Sequence, residues 1–242
     1  DTALISDSAE ERRRYINRFI SQTDRSYLNA LIRYNTTLQE RNKLLKNRPT
    51  EEMLMIYDTM LATAAETIFT RRTETIAAMQ PLVERYYAIL AEEREAIALD
   101  YRSEMQETPL LELLQQSRQR DFVNEYTSSG PHRDDIIFSI SDYPLRKFGS
   151  QGQQKSFLIA LKLAEYTLLA EHSKEKPILL LDDLFDKLDM RRVAHLLRLV
   201  GGDMFGQIFI TDCNKHRLER TLGEAGAEYK LFNIAEGRAT TL

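Results

Sequence analysis

The chain has 242 residues, 43% of them apolar, enough for one large or two small cores, which excludes a disordered or fibrous protein. A formal net charge of −4 excludes a uniformly basic nucleic-acid-coating protein and leaves room for a local basic face. Cys213, the single cysteine, excludes an intrachain disulfide or a cysteine-built zinc cage and points to the cytoplasm; no run approaches the roughly 20 apolar residues of a membrane span, and Asp1 to Asp7 carry no secretion signal.

The first half reads as helix. Ser8 followed by Glu11 has the form of a capping box, and Tyr15, Ile16, Phe19 and Ile20 recur behind it at helical spacing, so a helix is predicted from about Ser8 to Gln22. A second begins near Ser26, with Leu28, Leu31, Ile32, Leu38 and Leu45 on one side, and stops at Pro49. From Thr50 a long helix runs through Met53, Ile56, Met60, Ile68, Ile76, Leu82, Val83, Tyr86 and Leu90, and Pro81 within it predicts a kink. Ile97, Leu99 and Tyr101 alternate with Ala98, Asp100 and Arg102 as in a strand, and Thr108–Pro109 open a further helix that closes near Glu125.

From there strands alternate with helices. The pattern predicts a strand Asp135–Ile140, a helix from Gln153 to about Ala170, a strand Ile178–Leu181, a helix near Arg191–Val200, a strand Gln207–Thr211 and a final hairpin turning at Glu236 and Gly237. The expected organisation is a helical domain, 1–125, followed by an α/β domain, 126–242.

Three segments carry chemistry. Ile178 to Leu181 followed by Asp182 and Asp183 is an apolar strand delivering two carboxylates at its carboxyl end, where ligands of open α/β sheets gather. It resembles a Walker B element, with Asp182 placed to hold magnesium and Asp183 to orient or deprotonate the water attacking a γ-phosphate. Upstream, Gly149, Ser150, Gln151, Gly152 and Gln153 lead into an apolar helix; glycines admit close backbone approach to an anion and the helix amino end adds positive potential. That turn resembles the ABC signature loop, and Asp189 fits the D-loop position. Taken alone, the first is also a strand ending in two solvated acids at a turn and the second a Gly/Ser/Gln turn capping an amphipathic helix; order and spacing together give the reading of an ABC-type ATPase lobe. Thr211 and Asp212 stand where many ABC ATPases carry a switch histidine, and His216 lies further on.

No glycine here is followed by lysine, so a Walker A loop is absent from these 242 residues, and a missing amino-terminal lobe is expected to carry it. The run Ser128-Ser129-Gly130-Pro131-His132-Arg133-Asp134-Asp135 resembles the GPHRDD segment of the RecF family, and Asp182–Asp183 its double aspartate. Glu11 to Tyr15 and the stretch Tyr34, Leu38, Arg41, Asn42, Leu44 to Lys46 extend the resemblance over nearly the whole chain. The resemblance implies an SMC-like ATPase that dimerises on ATP with magnesium, binds double-stranded DNA, and works with RecR and RecO to load RecA at gaps. Ser150, Gln151, Gly152 and Gln153 would then meet the γ-phosphate held by a partner protomer.

His132 and Arg133 fit a capped turn as well as a contact to nucleotide or DNA, and their role stays open. Arg12, Arg13, Arg14, Arg18, Arg25, Arg41, Lys43, Lys46 and Arg48 are candidates for phosphate contacts or for a solvated helical surface. Two other functions stand beside the leading one: another ABC-class ATPase, such as a transporter subunit or a phage-defence ATPase, and a non-catalytic interaction fragment.

Overall fold

The computed structural model describes residues 3–6, 8–47, 49–92, 95–173, 175–182, 188–212, 219–223 and 228–241. After a short turn of helix α1 (Ala3–Ser6), α2 (Ala9–Thr23) buries Tyr15, Ile16, Phe19 and Ile20 at the expected spacing. The capping box read at Ser8 does not form: Ser8 makes no side-chain cap, and Glu11 takes the Arg14 guanidinium at 2.6 Å instead. A full charge one turn along outcompetes a backbone amide for the carboxylate.

Helix α3 (Arg25–Leu45) is capped by Asp24, whose carboxylate accepts from the amides of Ser26 and Tyr27 at 2.8 and 3.0 Å. The Ser26 hydroxyl and those amides hold the Asp24 carboxyl below its usual range. Of the expected leucine stripe only Leu45 is buried: Leu28 and Ile32 are exposed, Leu31 and Leu38 half-buried, and the buried face is Tyr27, Tyr34, Thr37, Arg41 and Leu45.

Helix α4 (Glu51–Ala91) runs unbroken through Pro81 for 41 residues. Its buried stripe is Leu54, Asp58, Leu61, Ala65, Ile68, Arg72, Ile76, Met79, Val83, Tyr86 and Leu90, at steps of three and four residues. Met53 and Ile56 lie outside it, exposed. Two charged residues occupy stripe positions, so an apolar-only reading picks the wrong face in the amino-terminal half.

Two compact units result: residues 1–84 with 96–149, and residues 85–95 with 150–242. They follow a different line from the 125/126 boundary read from texture, because β1 (Ile97–Arg102) pairs antiparallel with all of β2 (Asp135–Ile140), keeping 126–149 with the helical part. Leu99 opposes Phe138 and Tyr101 opposes Ile136, so one face of the sheet is apolar and buried. A 3-10 turn, Glu104–Gln106, and α5 (Leu110–Asn124) connect the two strands; α5 stops where Glu125 turns left-handed, at φ 58°. The short strand β3 (Tyr143–Pro144) and helix α6 (Leu145–Phe148) complete this unit.

The second unit is built on α7 (Gln151–His172), whose residues Ser156 to Leu161 are all buried. Strand β4 (Leu179–Leu181) runs parallel to β5 (Ile208–Ile210), with α8 (Met190–Val200) in the crossover burying Val193, Leu196, Leu197 and Val200. The apolar run is not buried on both faces: Leu179 is covered, but Ile178 and Leu180 are 59% and 70% exposed. Strands β6 (Phe232–Ala235) and β7 (Arg238–Thr241) form the expected hairpin, and Glu236 and Gly237 both take positive φ, as a two-residue turn of matching twist requires.

Candidate nucleotide-facing site

Ser150 is the N-cap of α7 in a complete capping box. Its hydroxyl accepts from the Gln153 amide at 3.3 Å, and the Gln153 carbonyl oxygen of the side chain accepts from the Ser150 amide at 2.7 Å. The Gln153 side-chain NH2 group donates to Glu95 at 2.8 Å, and Glu95 also accepts from the Tyr87 hydroxyl at 3.2 Å. Glu95 and Tyr87 thus position the turn; neither belongs to a motif, so no sequence signal pointed to them. Ser150 and Gln151 are exposed, Gly152 half-buried, and helix geometry leaves the Gln151 and Gly152 amides no carbonyl one turn back. A capped, glycine-containing turn at the amino end of a 22-residue helix is suited to meeting an anion.

The carboxyl ends of β4 and β5 come together. The Thr211 amide donates to the Leu181 carbonyl at 2.9 Å, and the Thr211 hydroxyl donates to the Asp182 carboxylate. The structure therefore unites two residues read separately, Asp182 of the Walker B-like segment and Thr211 of the expected switch region. Asp182 is exposed, and its other carboxylate oxygen has no partner among the described residues. Magnesium characteristically takes one or two protein carboxylates and completes its shell with water and phosphate oxygens, and an exposed single carboxylate at a strand end fits that habit. Among the described residues no cluster of three or more His, Cys, Asp or Glu gathers. Asp212 is half-buried. Asp189 caps α8, accepting from the Arg192 amide at 2.9 Å, and is exposed. Asp183 and His216 lie outside the described residues.

His132 and Arg133 belong to the other unit, in a loop that is fastened residue by residue. Gly130 takes φ +125°, and a Cβ there would meet the Tyr34 hydroxyl at 2.5 Å. The Pro131 carbonyl accepts from Arg72 at 2.8 Å. His132 donates from Nε2 to the Thr127 carbonyl at 3.0 Å, so its Nδ1 accepts from the Tyr34 hydroxyl at 2.8 Å. Burial drives the ring pKa down to about 4, against the Thr127 carbonyl and helped by Arg133 and Arg13. The exposed Arg133 guanidinium stacks over Tyr126, 5.1 Å from the ring centroid. Asp134 is buried against Arg72 and the Tyr101 hydroxyl, and Asp135 takes Arg12 through two bonds of 2.7 and 3.0 Å. Burial raises the Asp134 carboxyl above its usual range in spite of Arg72. Beneath the loop, Arg41 is fully buried between Asp58 at 2.6 Å and Asp121 at 2.8 Å and also donates to Thr127 at 2.9 Å.

Among curated proteins, the DNA replication and repair protein RecF of Bacteroides thetaiotaomicron is 43% identical over 239 residues, 98% of this chain and 65% of that protein. RecF of Flavobacterium johnsoniae is 41% identical over 97% of this chain and 67% of its own length. The chain belongs to the RecF family. No family model matches it. It spans about two thirds of these RecF proteins. A solved structure of the recombination mediator protein RecF-ATP, in the RecFOR pathway, aligns with TM-score 0.80 at 28% identity, covering 100% of this chain and 65% of that one. An SMC head domain from Pyrococcus furiosus aligns with TM-score 0.52 at 16% identity over 100% of this chain and 59% of that one, a likeness of fold alone. The ABC-type ATPase fold with a largely helical part, read from the motifs, is borne out.

Within this RecF-family chain the basic candidates sort themselves. Arg41 is fully buried and ion-paired, Arg12 is bound to Asp135 and Arg14 to Glu10 and Glu11. Arg48 lies outside the described residues. Arg13 and Arg18 form no ion pair among the described residues. The RecF-like GPHRDD string is thus a structural latch for most of its length, held by Arg12, Arg13 and Arg72, of which the sequence singled out the first two but not Arg72.

Proposed function

We propose that this chain supplies one half of a shared ATP pocket in a dimeric, DNA-acting ATPase of the RecF type. The observation that carries the reading is the Ser150–Gln153 turn, already capped at the amino end of α7, with Ser150 and Gln151 exposed. In this reading Ser150, Gln151, Gly152 and Gln153 contact the γ-phosphate bound by a partner protomer, and Asp189 lies at the protomer interface. Asp182 would hold magnesium, which would supply positive charge to offset that of the phosphates. Asp183 orients the attacking water, and Thr211 fixes the Asp182 carboxylate while Asp212 completes the switch region. Double-stranded DNA, RecR with RecO, and RecA loading at gaps are the partners the family brings, in the cytoplasm. Among the described residues no helix is long and apolar enough to cross a membrane.

Sedimentation velocity tests the pocket. A protein joining this chain to a lobe with a Walker A loop should dimerise only with ATP and magnesium, and Ser150→Arg should abolish the dimer. The 242-residue chain alone should bind ATP weakly, since it has no loop to cradle the phosphates. Dimers indifferent to ATP and to that substitution, or tight ATP binding by the chain alone, would overturn the proposal.

A further inference from the structure

A cleft of about 520 Å³ opens in the first unit between α2, α3 and the loop at Pro131 and His132. Its walls carry a surplus of cation. Arg13 and Arg18 both line it and neither has a carboxylate partner among the described residues; Arg13 spends one N–H on the Asp134 backbone carbonyl at 2.7 Å. Glu10 at the same cleft is already held by Arg14 at 3.2 Å, and Arg72 on the inner wall is neutralised by Asp134 at 3.0 Å. Burial and the neighbouring Arg72 cation hold the Arg13 guanidinium below its usual range, outweighing the nearby carboxylates of Asp135, Glu10 and Asp134.

The neutral donors are arranged to the same end. The Asn17 side-chain oxygen is occupied by the Tyr27 hydroxyl at 2.5 Å and by Arg72 at 2.9 Å, which leaves its NH2 group as the end without a partner. Residues 13, 17 and 21 repeat every turn on one face of α2, so Arg13, Asn17 and Ser21 form a ladder of donors, with Arg18 beside it and Asn35 contributed from α3. Planar guanidinium forks with flanking amide and hydroxyl donors are the groups that recognise tetrahedral phosphoryl oxygens.

We propose that this cleft is a phosphodiester-binding site that seats a backbone phosphate of DNA, with Arg13 and Arg18 as the charged contacts and Asn17 as a neutral donor. The assignment rests on the DNA-acting reading above and adds a location to it. Sequence alone offered nine basic residues; geometry and ion pairing reduce the charged contacts at this site to two.

The test is fluorescence anisotropy of a labelled DNA duplex titrated with the 242-residue chain at several salt concentrations. Arg18→Glu alters an exposed side chain and should weaken binding about tenfold and reduce the salt slope by about one, whereas Lys46→Glu, the same charge change at the end of α3, should weaken it less than about threefold. Arg13→Gln, confirmed folded by an unchanged melting temperature, should follow Arg18→Glu. Equal losses from Arg18→Glu and Lys46→Glu, or none from either cleft variant, would overturn the site while leaving DNA binding standing. Failure of the unaltered chain to bind duplex at low salt would remove the DNA reading itself. Inorganic phosphate competing as well per phosphate as the duplex would assign the cleft to free anions and overturn the backbone assignment.

Discussion

His132 has both ring nitrogens engaged, one donating to a backbone carbonyl and one accepting from a tyrosine, so a proton on Nδ1 would displace the Tyr34 hydrogen bond. Its folded pKa of about 4 lies below the ordinary 6.5, which means the folded state binds fewer protons than the unfolded one across that interval. The stabilisation is therefore complete above pH 6.5 and is lost as pH falls toward 4, an effect of about 1–3 kcal/mol. Asp134 in the same loop, raised by burial, works in the opposite sense, contributing at low pH and losing its contribution as pH rises. The difference between proteins isolates the histidine: between pH 7 and pH 5 the melting temperature of the unaltered chain should fall several degrees more than that of His132→Gln. Parallel pH profiles for the two would show that the ring is not a titrating group of this fold. The sequence drew attention to His132 as a string match and left its role open, because its partner Tyr34 stands 98 residues away.

At the level of elements, the latch is made by helices carrying charge on their buried faces. Arg41 of α3 sits fully buried between Asp58 of α4 and Asp121 of α5, and Arg72 of α4 reaches Asp134 at the start of β2. Such an arrangement contributes little net stability over an apolar core but is costly to break, because removing one partner strands the others without solvent. Arg41→Ala leaves Asp121 with hydroxyl and amide donors and Asp58 with Arg118 at 3.3 Å, and should cost about 3–5 kcal/mol, read as a lowered urea midpoint. A loss under about 1 kcal/mol would mean that water reaches the pair after the change. Periodicity located α2, α4, α5, β2 and the closing hairpin well, since their boundaries depend on caps, prolines and alternation. It chose the wrong faces of α3 and the first half of α4, where tyrosine, aspartate and arginine occupy the positions an apolar count expects to be leucine.

For the whole molecule, motif order gave more than motif content. The Ser150 turn, Asp182 and Asp189 are each unremarkable alone, and their spacing carried the reading of an ABC-type fold that the structural neighbours bear out. The Asp182–Thr211 contact was not legible, because parallel pairing of β4 with β5 crosses nearly thirty residues and is fixed by the sheet. The exposed side of that sheet, Ile178, Leu180 and Phe209, leaves an apolar patch on the isolated chain. Leu180→Thr should lower binding of a hydrophobic dye and raise the solubility limit with little change in melting temperature, since the side chain is 70% exposed. Unchanged dye binding would place the adhesive surface elsewhere.

Gln153 is committed at both ends of its side chain, one to the Ser150 amide and one to Glu95. Anything that recruits this amide group must first release one of those bonds, so the turn resists casual occupancy by small anions. Only a visitor able to offer several compensating contacts at once gains entry through Gln153. The helix end thereby acts as a threshold detector, in which selectivity comes from an internal competitor already in place.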